Sequence, residues 1–357
     1  MPTIEVAVEC PVHKSFRVEQ VTGMFDLPVA KRATAKFKAD VPGLDDEWQI
    51  GCVVGPSGSG KSTIAREAFG DHLYRNARWP RDKAMIDCFG DRPIKEIVHT
   101  LTAVGFSSPP AWLKPFSVLS NGEQFRCELA RALFSGRKLV VFDEFTSVVD
   151  RTVAKIGSAA VVKAIRGGKA GTVKRLVAVT CHYDVLEWLE PDWVLDMATC
   201  QLARGCLRRP EIHIEIVRCT REAWSLFARH HYLSGGLGAA ATCYLGLWGG
   251  EPVAFCATMI SLEQRTHRRV SRVVVFPDYQ GVGIGGKFLN AVAGLETKGG
   301  NRFGCTTSHP AMIGHLRRSV EWRCTRVQKM GSSKTGMAAG RYKASTGRAV
   351  VAFEYIR

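Results

Sequence analysis

Short apolar runs alternate with amphipathic segments through the first two hundred residues. Gln49–Val54 reads as a strand and Lys61–Phe69 as the helix after it. Leu139–Phe142 and Leu176–Thr180 are brief and apolar throughout, the pattern of strands buried on both faces. Glu123–Phe134 reads as a helix, and Trp193–Leu195 is a further strand-like run. Strands alternating with helices in this way predict an α/β fold with a largely parallel sheet.

The pattern changes after Leu207-Arg208-Arg209-Pro210, a basic stretch closed by a proline that cannot continue a helix. Ile212–Val217 alternates like a half-buried strand, and Arg221–His230 reads as a helix. A hairpin is expected over Cys243–Trp248 and Val253–Met259, turning at Gly249–Pro252. A strand at Ser271–Phe276, a glycine-rich turn and a helix from Lys287 to Leu295 follow. The expected division is residues 1–207 and 208–357.

A length of 357 residues suits two such domains. At 46% hydrophobic and 23% charged the composition is globular, which excludes disorder or a fibrous state. No apolar stretch is long enough to span a membrane, and the N-terminus lacks the charged start and apolar run of a signal peptide. Twelve cysteines are scattered with no CxxC pair, which points to reduced thiols in a cytoplasmic protein rather than a zinc cluster. The net charge of +16 is uneven: residues 1–210 carry +5 and residues 211–357 carry +11. A polyanionic partner and a basic solubilising surface account for that equally well.

Gly55-Pro56-Ser57-Gly58-Ser59-Gly60-Lys61-Ser62 matches G-x-x-x-x-G-K-[ST] between a strand and a helix. Such a loop closes backbone N–H groups around phosphates, and the helix start adds its positive dipole end. Gly55, Ser57, Gly58, Gly60, Lys61, Ser62 and Thr63 are the candidate ATP contacts, with Lys61 on the β/γ-phosphates and Ser62 on Mg²⁺. Leu139–Phe142 delivers Asp143 and Glu144 to the carboxyl end of a buried strand, where ligands bind in such sheets. Asp143 is placed at Mg²⁺ through water and Glu144 at the attacking water.

Leu119-Ser120-Asn121-Gly122-Glu123-Gln124 lies between these motifs and resembles the LSxGEQ signature of ABC ATPases. Ser147-Val148-Val149-Asp150 resembles that family's D-loop, and His182 its switch histidine. The resemblance covers residues 15–207 and implies a head-to-tail homodimer, in which Ser120 and Gly122 of one chain meet the γ-phosphate held by Lys61 of the other. The sequence departs from the family at three places. No glutamine stands between Lys61 and Gln124, where Asp87 and Asp91 lie near the expected place. Phe145 replaces a common proline, and no aromatic for stacking adenine is evident beyond Phe25.

The second half contains Val275-Phe276-Pro277-Asp278-Tyr279-Gln280-Gly281-Val282-Gly283-Ile284-Gly285-Gly286, which resembles the GNAT acetyltransferase pattern V-x-P-x-x-[QR]-G-x-G-[IV]-[GA]. The order around it agrees, with Phe303–Thr307 as the next strand, Pro310–Ser319 as a helix, and closing strands at Arg323–Gln328 and Ala349–Tyr355. The resemblance covers residues 211–357 and implies acetyl-CoA, held at Val275, Gln280, Gly281, Val282, Gly283, Gly285 and Gly286. The whole chain thus resembles a P-loop ABC-type ATPase domain followed by a GNAT-fold α+β domain with a central mixed sheet. The family's leaving-group tyrosine has no counterpart in Pro310–Ser319, which leaves His309 and His315 as candidates. His230-His231-Tyr232-Leu233-Ser234 falls where the family shapes its acceptor site, so His231 and Tyr232 are candidates to position or deprotonate an amine.

That segment is also similar to the Mom-like branch of the family, which modifies DNA adenine. Arg265, Arg268, Arg269 and Arg272 form a basic stripe before the glycine-rich loop, and Arg317 and Arg318 a second one. Both suit a phosphate backbone, CoA phosphates or a solvated face. The expectation is ATP hydrolysis coupled to acyl transfer onto a nucleobase amine, in DNA rather than RNA, with no membrane association. The alternatives are an RNA, protein or small-molecule acetyltransferase regulated by nucleotide, or a nucleic-acid clamp without transferase activity.

Overall fold

The computed structural model describes residues 2–11, 13–25, 32–205, 207–231, 236–261, 264, 266–329 and 349–356. In chain order the first elements are β1 (Thr3–Pro11), α1 (Phe16–Phe25), β2 (Arg32–Asp40), β3 (Ile50–Val54), α2 (Lys61–Phe69) and β4 (Leu73–Tyr74). Next come α3 (Ile94–Ala103), α4 (Pro109–Trp112), α5 (Asn121–Leu133), β5 (Leu139–Phe142), α6 (Arg151–Arg166), β6 (Arg175–Thr180) and α7 (Leu186–Leu189). Then follow β7 (Trp193–Asp196), β8 (Gln201–Arg204), β9 (Glu215–Cys219), α8 (Trp224–Phe227), β10 (Thr242–Trp248) and β11 (Glu251–Ile260). The chain closes with β12 (His267–Val275), α9 (Ile284–Thr297), β13 (Arg302–Thr307), α10 (Pro310–Arg318), β14 (Trp322–Lys329) and β15 (Ala349–Tyr355).

The chain forms two compact units that interleave in sequence. The first comprises residues 1–76, 134–147 and 171–208. Its six-stranded sheet has the order β4-β5-β6-β3-β7-β8. Every pairing is parallel except β7 with β8. Strands β3 and β5 are buried along their whole length, as their unbroken apolar runs require. A separate antiparallel ribbon pairs β1 with β2, from Thr3 opposite Asp40 to Pro11 opposite Arg32. The core collects Trp48, Phe69 and Trp193, with the two indoles edge to face at 5.5 Å.

The second unit comprises residues 77–133, 148–170 and 209–357. Helices α3, α5 and α6 therefore belong to one unit with the C-terminal elements. A seven-stranded sheet runs β14-β15-β13-β12-β11-β10-β9. It is antiparallel except where β12 meets β13, so the expected mixed sheet is present. A buried carboxylate pins this sheet to its helix. Glu296 on α9 accepts from Tyr244 Oη at 3.1 Å and Thr258 Oγ1 at 2.5 Å, and pairs with Arg268 at 2.9 Å.

Several boundaries differ from the sequence reading. β9 starts at Glu215 rather than Ile212, because pairing ends at Leu247↔Glu215, where the β10–β11 turn begins. The helix expected over Arg221–His230 is a short α8 between two 3₁₀ turns. α9 starts at Ile284 rather than Lys287, since Gly283 takes the left-handed N-cap conformation. The sequence reading did not single out α6. Its start is fixed by Asp150, whose carboxylate accepts from the amides of Thr152 and Val153 at 2.8 and 3.1 Å. No described helix is long and apolar enough to cross a membrane.

Burial separates the cysteines by reactivity. Cys52 and Cys305 have their thiols pushed up to about 12 by burial, and Cys256 is raised for the same reason. Cys10, Cys181, Cys200 and Cys324 are exposed. Native alkylation followed by peptide mass spectrometry should label these four first. Cys52, Cys256 and Cys305 should react only after denaturation; early labelling of any of them would contradict the fold.

Candidate functional site

Three strands of the first unit carry one set of chemistry. The P-loop follows β3, Asp143 and Glu144 follow β5, and His182 follows β6. These strands are neighbours in the parallel sheet, so the three segments leave it at the same edge. Ser62 Oγ donates to Asp143 Oδ1 at 2.9 Å, which brings together the two residues expected at Mg²⁺. A hydroxyl and a carboxylate in contact are the oxygen donors this hard cation takes when nucleotide phosphates and water complete its shell. Lys61 Nζ donates to the Pro56 carbonyl at 2.6 Å, so the ammonium curls over the loop it serves. Ser59 Oγ is buried without a hydrogen-bond partner, a donor available to an oxyanion.

Glu144 and Thr146 both have left-handed backbones, with φ of 52° and 68°. Between them Phe145 is fully buried, its amide bonded to the Val179 carbonyl at 2.8 Å and its ring edge-on to Phe142. The proline usual here in the resembled family could not make that amide bond. Two such residues store strain on the order of 1 kcal/mol each, which the buried Phe145 holds in place. His182 stands after β6 with its amide on Thr180 Oγ1 at 3.1 Å. Phe37, which the sequence did not single out, lies against Gly60. Phe25 is exposed on α1.

The signature segment belongs to the second unit. Ser120 and Glu123 form a reciprocal cap: the Glu123 carboxylate accepts from the Ser120 amide at 2.9 Å, and Ser120 Oγ accepts from the Glu123 amide at 3.3 Å. That cap starts α5 at Asn121 and leaves Ser120 exposed at a helix N-terminus. One turn on from Gly122, Arg126 is fully buried. It donates through Nη2 to the Asp278 carbonyl at 3.0 Å, and its Nη1 lies 3.9 Å from the Asp278 carboxylate. Burial lowers the Arg126 pKa to about 10, with Asp278 opposing the shift. Burial raises the Asp278 carboxyl in turn. Asp87 and Asp91 are exposed in this unit.

The glycine-rich loop after β12 is built into the same helical layer. Gly281 has φ of 99°, and a Cβ there would lie 2.7 Å from Ala160 Cβ and 2.8 Å from Gly105 Cα. The Gln280 side chain accepts from the Ser107 amide at 2.8 Å and donates to the Val275 carbonyl at 2.9 Å. Gln280 thus ties the segment after α3 to the end of β12. Its main chain, with Gly281, Gly283, Gly285 and Gly286, still lines a cavity of about 1040 Å³. Val275 lines the cavity as well, while Val282 turns its side chain into the core.

Strand geometry opens this cavity. β12 and β13 pair only over His267–Arg269 and Arg302–Gly304. Beyond those residues no described strand occupies the facing edges of β12, up to Val275, and of β13, up to Thr307. Residues 270–275 and 305–307 line the cavity. Two strand edges facing a cleft present backbone donors and acceptors to a ligand that carries amides.

His230, His231, His309 and His315 all line the cavity. Burial lowers the pKa of His230, His309 and His315, so these three imidazoles are neutral at pH 7. His309 Nε2 lies 3.3 Å from the Ser107 carbonyl. That acceptor requires the proton on Nε2 and makes Nδ1 the acceptor nitrogen. His315 stacks against Gly286, where a Cβ would come within 2.5 Å of its ring. Tyr232 and Arg265 lie outside the described residues. The expected arginines are divided: Arg268 is paired with buried Glu296, Arg272 and Arg318 line the cavity, and Arg269 and Arg317 are exposed.

No protein-family profile matches the sequence, and no curated protein matches it. Solved structures align with less than half of the chain each. An IAA acetyltransferase from Bacillus cereus aligns at 15% identity and TM-score 0.30, over 40% of this chain and 99% of its own. A Bacillus subtilis acetyltransferase in complex with CoA aligns at 12% identity and TM-score 0.31, over 41% of this chain and 99% of its own. A dimeric ATP-binding cassette, in a post-hydrolysis state with ADP and Pi, aligns at 15% identity and TM-score 0.37, over 48% and 89%.

The Arg126 contact has a measurable weight. Arg126→Ala empties a fully buried guanidinium site and should cost roughly 3 kcal/mol. Asp278→Asn keeps the main-chain acceptor and should cost less than about 1 kcal/mol. Urea unfolding of both variants checks this; equal losses would assign the energy to the carboxylate instead.

Proposed function

We propose that the protein is an ATP-hydrolysing acyltransferase that moves an acetyl group from acetyl-CoA to an amine, with a nucleobase of DNA as the acceptor. The observation that carries the reading is the cleft between the diverging ends of β12 and β13, closed by a glycine-rich helix start and lined by neutral histidines. A thioester donor supplies an activated acyl carbon. The chain's own residues align it and handle the protons. The strand edges at 270–275 and 305–307 offer amide pairing along the donor's arm, and the loop amides at 281–286 face its phosphates.

Acyl transfer requires an unprotonated amine. As nitrogen bonds to the acyl carbon, the carbon–sulfur bond breaks, the amine loses one proton and the thiolate gains one. His309 suits proton acceptance through Nδ1, because the Ser107 carbonyl holds its other nitrogen. The proton that His309 takes from the amine is the one the thiolate gains, while His315 on α10, the helix that carries no tyrosine, faces the cavity as a neutral imidazole. His231 completes the cavity wall. In the first unit, Lys61, Ser62 and Asp143 suit a nucleotide with Mg²⁺, the cation neutralising phosphate charge. Glu144 suits the water that cleaves the terminal phosphate. An ATP-dependent homodimer would bring Ser120 and Gly122 of one copy to the nucleotide of the other.

Two features support DNA as the acceptor. Residues 211–357 carry a net charge of +11, and Arg269 and Arg317 remain exposed. Nucleoside mass spectrometry tests the whole reading. Wild type expressed in a bacterial host should give a nucleoside heavier by one acetyl group in digested DNA, and Lys61→Ala and His309→Ala should each reduce it at least tenfold. An adduct only in RNA or only on protein would replace the acceptor. No adduct in any pool would contradict the reading.

The base also predicts a pH profile. Because burial holds His309 below its ordinary value, the acidic limb of kcat/KM should lie below pH 6.5, with activity lost as pH falls. A limb above pH 7 would remove His309 from that role.

A further inference from the structure

The cavity that holds the glycine-rich loop is lined by residues from both halves of the sequence. Among the described residues on its wall are five cations, Lys95, Lys163, Lys169, Arg272 and Arg318, against one carboxylate, Glu96. Glu96 is itself paired with Arg92 at 3.1 Å. The cavity is therefore strongly positive, and an apolar or neutral ligand would leave that charge without a counterpart.

Two of these cations come from α6 and the turn after it, in the half that carries the ATPase motifs. Lys163 Nζ lies 3.4 Å from where a Cβ on Gly283 would stand, directly at the N-terminus of α9. Burial lowers the Lys163 pKa, and the positive charges of Lys169, Arg209, Lys287 and Arg318 lower it further. A convergence of like charges at a helix start is unfavourable by itself, since the dipole end there is also positive. It becomes favourable when an anion of high charge sits among them.

We propose that Lys163 and Lys169, with Arg318, bind the phosphate groups of the acyl-CoA, so that the ATPase-like half supplies part of the donor site. This rests on the acyl-CoA reading and names residues that the acetyltransferase resemblance does not contain. The C-terminal elements provide the loop amides and the strand edges, and α6 provides the counter-charge. Removing α6 from the loop would weaken donor binding even with every C-terminal contact intact.

Isothermal titration of CoA into the full-length protein tests this. Lys163→Met keeps most of the aliphatic stem and should raise the Kd about tenfold. Lys163→Met/Lys169→Met should raise it about a hundredfold and flatten the dependence of log Kd on log salt. Lys163→Arg should retain affinity within about threefold, and Lys114→Met, an equal charge change on an exposed residue away from the cavity wall, should bind like wild type. Thermal unfolding confirms that each variant folds. Binding by both Met variants within twofold of wild type, with an unchanged salt slope, overturns this inference and leaves the acyl-CoA reading in place. Failure of wild type to bind CoA overturns the acyl-CoA reading itself.

Discussion

Gly105 and Gly281 approach so closely that neither position has room for a side chain. A Cβ on Gly105 would stand 2.5 Å from the Gln280 carbonyl oxygen, and one on Gly281 would stand 2.8 Å from Gly105 Cα. This contact sets the distance between the helical layer of α3, α5 and α6 and the end of β12. Beside it, Gln280 bridges Ser107 and Val275, and Arg126 reaches the Asp278 carbonyl. The glycine-rich loop is therefore held from outside by the layer that also presents the signature segment. Its glycines answer two demands at once, since Gly281 meets packing while Gly283 and Gly286 face the cavity.

The energetics of the second unit follow from that docking. Arg126 is buried with one strong acceptor and with Nε and Nη1 unbonded, a costly arrangement. The guanidinium joins α5 to the segment that follows β12. The same enclosure depresses His230, His309 and His315 and leaves Lys163 among other cations. One cavity thus combines neutral bases with unbalanced positive charge. That combination suits a donor with a polyanionic end and a reactive end where protons change hands.

Much of this was legible in the sequence, because the chemistry lies in contiguous motifs. The P-loop and the glycine-rich loop each announce a strand, a turn and a helix, the acidic pair marks the end of β5, and α2 spans the expected residues. The interleaving was not legible. Helices α3 and α6 bury their faces against segments more than a hundred residues later, and periodicity says which face is apolar without saying what covers it. Gln280 read as a cofactor contact in the glycine-rich loop, and nothing local marks Ser107 and Val275 as its partners. The sequence did not single out Lys163; only the fold shows it beside Gly283. The arginine stripe misled in part, since its residues divide between a buried ion pair, the cavity wall and solvent.

The signature helix and the glycine-rich loop belong to one unit, so on the proposed reading a nucleotide met by Ser120 and an acyl donor held at the loop are expected to affect each other. By linkage, any change one ligand makes in the other's affinity is returned in equal measure. The direct measurement is the Kd of CoA with and without a non-hydrolysable ATP analogue, in wild type and in Arg126→Met. The account predicts a change of about fivefold or more in wild type, an equal change in analogue affinity caused by CoA, and loss of both in the variant. Affinities that are independent of the other ligand in wild type would contradict it.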